Sequence, residues 1–189
     1  TSRLFLIRHG PTHAKAMVGW TDIPADLSDA AALHRLRGYL PDAPVVSSDL
    51  SRAVATADAL NRKTRLPHDP QLREINFGVW EMQTFAEVEA SDPRTIRAYW
   101  ETPGDIAPDA GESWNAVRHR VSGAIDTYVN AGYRDLIVVA HFGAILTQVQ
   151  RALRCDSYAA FGHKIDNLSV TRLHWDGAAW SVEAINHLP

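Results

Sequence analysis

An arginine, a histidine and a glycine stand together at positions 8 to 10, directly after the apolar run Leu4-Phe5-Leu6-Ile7 and before Pro11 and Thr12. A second histidine, His141, follows the apolar run Leu136-Ile137-Val138-Val139-Ala140, and Arg52 lies just past Val45-Val46-Ser47-Ser48. A neutral imidazole offers a lone pair as nucleophile or base. A guanidinium offers a fork of donors that fits a phosphate or carboxylate. Two arginines beside two strand ends point to a phosphate. Glu74 and Glu81 sit among Ile75, Phe77, Val79 and Trp80. Apolar surroundings disfavour an ionised carboxyl, which is how a glutamate becomes a general acid near neutral pH. Either glutamate fits at this point.

Short apolar runs bounded by turn residues read as buried strands, and in open α/β sheets ligands bind outside the carboxyl ends of the strands. Gly10 allows a sharp turn, and Pro11 cannot donate to a sheet ladder, so the first strand should stop there. Asp26 to Asp29 supply capping residues for a helix carrying Ala30, Leu33, Leu36 and Leu40 and stopped by Pro41. Val45 to Ser48 reads as a second strand passing into an alanine-rich helix that Ser48 or Asp49 would cap, its N-terminus a ready anion site beside Arg52. Residues 83 to 100 look helical, interrupted or restarted at Pro93. Glu101 to Ser113, with two prolines, two glycines and four acidic residues, is expected to be a surface loop of the kind that covers active sites. Ser113 caps a helix marked by Trp114, Val117, Val121, Ile125 and Tyr128, on which Arg118, His119 and Arg120 form a solvated face. Residues 136 to 140 should be a central parallel strand, followed by a helix on Ile145, Leu146, Val149 and Leu153. Val170 to Trp175 and Trp180 to Ile185 read as a hairpin turning at Asp176-Gly177. Strands alternating with helices give an α/β fold with a mostly parallel sheet and an antiparallel C-terminal edge.

The 189 residues, 46% hydrophobic and 22% charged, fit one globular domain over 1–189. A net charge of −3 without a Lys/Arg run argues against nucleic acid or an anionic membrane as partner. Cys155 is the only cysteine, so a reducing, cytoplasmic setting is expected, and no apolar run reaches the length of a membrane span. Gly10 and Pro11 separate His9 from His13, which makes a helical metal-ligand pair implausible. No acidic cluster, P-loop or dinucleotide fingerprint is present. The chemistry is expected to need neither metal nor cofactor. His34, His68, His119, His163, His174 and His187 are assigned to surface or structural roles, and a homodimer is left open.

Five motifs then fall in order: Leu6-Ile7-Arg8-His9-Gly10-Pro11-Thr12; Ser47-Ser48-Asp49-Leu50-Ser51-Arg52-Ala53 with Thr56-Ala57; Leu72-Arg73-Glu74 with Phe77-Gly78-Val79-Trp80-Glu81; Gly111-Glu112-Ser113; and Val138-Val139-Ala140-His141. Together they resemble the histidine phosphatase superfamily, which includes cofactor-dependent phosphoglycerate mutase. The resemblance implies a three-layer α/β/α fold and phosphoryl transfer from a small-molecule phosphomonoester through a covalent phosphohistidine on His9, without a cofactor. Arg8, Arg52 and His141 would clamp the phosphoryl oxygens. Glu74 matches the family's acid, with Glu81 as second choice. Thr12, Lys15, Gly19 and Phe142 would line the substrate site.

The mutase branch has an arginine where Ile75 stands, so hydrolysis is favoured over mutase chemistry. The Gly19-Trp20-Thr21-Asp22-Ile23-Pro24 and Phe77-to-Met82 stretches look most like the α-ribazole phosphatase branch, with a broad sugar or nucleotide phosphatase as the alternative. Pro11 replaces the family's Glu or Gln, Lys15 an asparagine, and Phe142 a glycine. Arg8, His9, Arg52, Glu74 and His141 are all retained, which argues against a non-catalytic phospholigand-binding relative.

Overall fold

The structure, a computed structural model, describes all residues from Thr1 to Pro189. Five strands, β1 (Ser2–Arg8), β2 (Val45–Ser47), β3 (Asp135–Ala140), β4 (Val170–Trp175) and β5 (Trp180–His187), form one sheet in the order β2-β3-β1-β4-β5. β1 and β2 each pair parallel with β3, β4 runs antiparallel to β1, and β5 antiparallel to β4. Only β4 therefore opposes the common direction.

Side-chain alternation along the strands divides the core in two. Leu4, Leu6, Val46, Leu136, Val138 and Leu173 face one layer. Phe5, Ile7, Val45, Ile137, Val139 and Val170 face the other. The first layer holds α3 (Phe85–Ser91), α4 (Pro93–Glu101), α5 (Trp114–Asn130) and α6 (Phe142–Leu153). The second holds α1 (Ala30–Tyr39) and α2 (Ser51–Ala59). Both faces of β1 and β3 are thereby buried, which is why those strands read as unbroken apolar runs. Each fully buried Leu or Ile on them contributes about 1.5–3 kcal/mol.

Most helix starts follow their caps. Asp29 caps α1 through the Ala32 N–H, Ser113 caps α5 through Ala116, and Pro93 opens α4 with Asp92 as its cap. The start of α2 differs from expectation. Leu50 occupies its cap position and offers no side-chain acceptor. Asp22 supplies one instead, accepting from the Ser51 N–H at 2.8 Å. Ser48 and Asp49 are engaged elsewhere, with His141 and Arg73. Residues 70–72 and 78–80 are single 3₁₀ turns, and α7 (Ser157–Ala160) is too short to leave a periodic signal.

The 102–113 segment is a loop, but it is fastened. Val79 N–H donates to the Asp109 carbonyl, Glu112 N–H to that of Asn76, and Asn76 N–H to the Glu112 carboxylate at 2.9 Å.

Candidate active site

The three parallel strands end in step, because Arg8 pairs with Ala140 and Ser47 with Val139. The next residue on each chain is His9, His141 and Ser48. His9 N–H continues the ladder to the Ala140 carbonyl, and Ser48 N–H to that of Val139. Strand register thus gathers two histidines and a serine from positions far apart in sequence.

His9 is buried, and its Nδ1–H donates to the Gly10 carbonyl at 2.7 Å. A carbonyl can only accept, so the lone pair lies on Nε2. There it accepts from Arg52 Nε at 3.3 Å. Burial, opposed by the Gly10 hydrogen bond and helped by the charges of Arg52 and Arg8, lowers the His9 pKa to about 3. The imidazole is neutral at pH 7. The ring of His141 lies 5.0 Å from that of His9, fully buried, and burial together with His9 and Arg52 pushes its pKa well below the ordinary value.

Arg52, 1% exposed, is held by its remaining nitrogens: Nη1 donates to the Thr21 carbonyl at 2.9 Å and Nη2 to that of Gly19. Arg8 Nη1 donates to the Ile165 carbonyl at 2.7 Å, and its guanidinium lies 5.4 Å from the centre of the Phe142 ring. Burial lowers the pKa of both arginines, opposed first by Glu74, but a guanidinium starts so high that both stay charged. Arg8 Nε and His141 Nδ1 are buried and bond to nothing in the chain.

Glu74 is buried against the N-terminus of α6. Its Oε2 accepts from the Gly143 N–H at 2.9 Å, and its Oε1 from Ala144 at 3.1 Å and from Ile75 at 3.0 Å. His141, the cap residue of α6, makes no side-chain cap bond, so the glutamate satisfies donors the helix would otherwise leave orphaned. The site therefore combines a neutral imidazole lone pair, two fixed cations, a buried ring nitrogen and a carboxyl group.

A family model describing branch 1 of the histidine phosphatase superfamily matches residues 4–188. The chain belongs to that superfamily. It is 34% identical to the bifunctional protein Rv2228c of Mycobacterium tuberculosis over 98% of this chain and 54% of the relative, so it spans about half the length of the first curated relatives it matches. It is 34% identical to glucosyl-3-phosphoglycerate phosphatase of Mycolicibacterium vanbaalenii (85% and 79% covered) and 26% identical to adenosylcobalamin/alpha-ribazole phosphatase of Salmonella typhimurium (87% and 86%). Bacillus stearothermophilus YhfR superposes with a TM-score of 0.90 at 26% identity, covering 100% of this chain and 98% of that one.

In this member of the superfamily the second glutamate takes a different place from the first. Glu81 accepts from the Gly19 and Thr21 N–H groups at 2.9 Å and from the Thr21 hydroxyl. Gly19 and Thr21 are the residues whose carbonyls hold Arg52. Glu81 thus grips the loop that grips Arg52, and Glu74 alone borders the histidines. Gly19 is itself buried, with N–H and carbonyl both occupied. It anchors Arg52 and has no free backbone group for a ligand. A Cβ there would lie 1.9 Å from the Ile75 carbonyl.

Thr12 is half-buried and its hydroxyl accepts from the Ala14 N–H, Lys15 is exposed, and Phe142 lies half-buried under Arg8. Arg120 departs from expectation. It is not a solvated residue but donates to the carbonyls of Gln71, Arg73 and Glu74 and forks onto Glu112 at 2.9 Å, clamping the segment that carries Glu74. Trp20 Nε1 donates to the same Glu74 carbonyl, and Arg73, paired with Asp49, stacks 4.8 Å from the Trp20 ring. Asn167 was not foreseen: its amide donates to the His9 carbonyl at 2.9 Å. No three His, Cys, Asp or Glu side chains come together in metal-binding geometry, and no helix is long and apolar enough to cross a membrane.

Proposed function

We propose that this chain is a phosphomonoester hydrolase, one domain over 1–189, that works through a phosphohistidine on His9 without a metal. The observation that carries the reading is the His9 ring: Nδ1–H tied to the Gly10 carbonyl, and an Nε2 lone pair beside the buried Arg52. The lone pair attacks phosphorus, the P–O bond to the alcohol breaks, and the leaving oxygen takes a proton from Glu74. Water then attacks phosphorus and gives a proton to Glu74, the P–N bond breaks with its electron pair returning to His9 Nε2, and phosphate leaves. Arg8, Arg52 and His141 hold the equatorial oxygens, so fixed cations and donors stabilise the charge that spreads over them. Glu74 Oε1 already accepts two N–H groups and Oε2 only one. A carboxyl oxygen has two lone-pair positions, which assigns the mobile proton to Oε2.

The test is rapid quench with a ³²P-labelled phosphomonoester. Acid-labile label should appear on the wild type and be absent from His9→Ala; label on the variant would defeat the assignment.

For the substrate, the Gly19-to-Pro24 and Phe77-to-Met82 stretches favour α-ribazole 5′-phosphate, while the 34% identity to a glucosyl-3-phosphoglycerate phosphatase favours a phosphorylated sugar acid. Comparing kcat/KM for both, with 3-phosphoglycerate and a nucleoside monophosphate alongside, decides between them.

A further inference from the structure

Ser48 is fully buried, and its hydroxyl lies 2.7 Å from His141 Nε2. The same oxygen faces the Leu50 N–H at 3.4 Å, and no second acceptor stands within reach of its proton. A backbone N–H can only donate, so this oxygen already serves as an acceptor. Its single proton then has one destination.

We infer that Ser48 is a positioning residue that donates to His141 Nε2 and thereby fixes His141 as the Nδ1–H tautomer, turning the second histidine into a neutral hydrogen-bond donor for an anion. The opposite arrangement, with Nε2–H donating to Ser48, would strand the serine proton unpaired in a dry site, which is costly. It would also leave a lone pair on His141 Nδ1, the buried nitrogen without a partner in the chain, where a phosphoryl oxygen would be repelled. Burial already keeps the ring neutral, so the choice between tautomers decides whether it attracts or repels an anion. The two histidines end up in the same tautomer by different means. A backbone carbonyl accepts from Nδ1–H of His9, leaving Nε2 to attack; a hydroxyl donates to Nε2 of His141, leaving Nδ1–H to bind.

The catalytic consequence rests on the phosphoryl-transfer reading; the tautomer does not. The experiment is long-range ¹H–¹⁵N correlation on protein labelled with ¹⁵N-histidine, with and without orthovanadate. His141 should show a protonated Nδ1 and a bare Nε2, and vanadate should move the Nδ1 proton. A protonated Nε2 in the wild type overturns the inference. In Ser48→Ala the Nε2–H form should appear and kcat/KM should fall about 10- to 10²-fold, short of the roughly 10²- to 10³-fold lost when a transition-state donor is removed outright. Ser48→Thr, which keeps the hydroxyl, should restore both. An alanine variant that is folded, wholly Nδ1–H and fully active also overturns it. If Ser48→Ala does not fold, the wild-type spectrum still decides. A wild type with the expected tautomer but no phosphatase activity would sink the functional reading and leave the tautomer assignment standing.

Discussion

Glu74 Oε2 accepts the Gly143 N–H at 2.9 Å, and a Cβ built on residue 143 would lie 2.5 Å from the Oε1 of that same carboxylate. The glycine that follows Phe142 is what lets a glutamate from another segment come up against the end of α6. Gly143→Ala should push Glu74 away and lower kcat by at least about tenfold, while Glu74→Gln should lower it by roughly 10²- to 10⁴-fold, the usual size of a general acid effect. Steady-state kinetics with one phosphomonoester check both. Unchanged turnover in Gly143→Ala would mean that this close approach is not needed.

Glu81 separates into its own test because it bonds the Arg52-holding loop. Glu81→Gln should weaken phosphate and vanadate binding about tenfold, as expected for the loss of charge-assisted hydrogen bonds worth about 1.5–3 kcal/mol each in part-buried settings, with a smaller change in kcat. A loss of 10²-fold or more in kcat with KM unaltered would return Glu81 to the role of acid.

Acid should act on stability before it protonates folded His9. The pKa of folded His9 is about 3, below the roughly 6.5 of an unfolded histidine, so between those values the unfolded chain binds more protons than the folded one. Stability should therefore be flat above about pH 7 and fall as pH drops from 6.5 towards 3, by a few kcal/mol from this group. The buried His141 acts in the same direction. Urea midpoints for wild type and His141→Asn across that range should diverge, the wild type losing more. The kcat/KM profile of the wild type should show no acid limb near pH 6.5 from either His9 or His141; a limb there that vanishes in His141→Asn would contradict the lowered pKa.

Arg120 and Glu112 form a pair with side chains only 12% and 18% exposed, and the arginine also feeds three carbonyls. Removing it leaves a largely buried carboxylate uncompensated, so Arg120→Ala should cost about 2–4 kcal/mol by denaturant unfolding, near the lower range for broken buried pairs. Arg120→Lys should recover only part of that, since an ammonium cannot fork. A cost under about 0.5 kcal/mol would show that the clamp is incidental.

A chelator should leave the rate unchanged. Turnover after treatment with EDTA and passage through a metal-free column, compared with untreated enzyme, checks the metal-free mechanism. A collapse restored by a divalent ion would refute it.

Much of this site was legible because its signals are local. An apolar run broken by Arg8-His9-Gly10, and another broken by His141, mark strand ends without reference to anything else in the chain. Glu74 was legible as one of two carboxylates, and only its place against α6 separates it from Glu81. The remaining contacts depend on register between distant segments. The bond of Ser48 to His141 spans 93 residues and that of Asn167 to His9 spans 158, and no spacing rule joins such pairs. Arg120 was misread for a related reason: a polar helix face reveals polarity, while the three carbonyls that it meets belong to a segment without periodicity. The cap of α2 was misplaced because Asp22, not a residue at the helix start, supplies the acceptor.

The segment 165–169 closes around the first histidine: Arg8 donates to the carbonyls of Ile165 and Ser169, Leu168 N–H returns to Arg8, and Asn167 reaches His9. β1 also lies between β3 and β4, so neither of its neighbours is made until more than 120 residues have followed it. On the ribosome, a chain grown only to about residue 160 would have a strand without one flank and His9 without its backing. The surroundings of His9 are thus completed only once β4 and the segment before it have emerged, and long-range pairing of this kind slows folding.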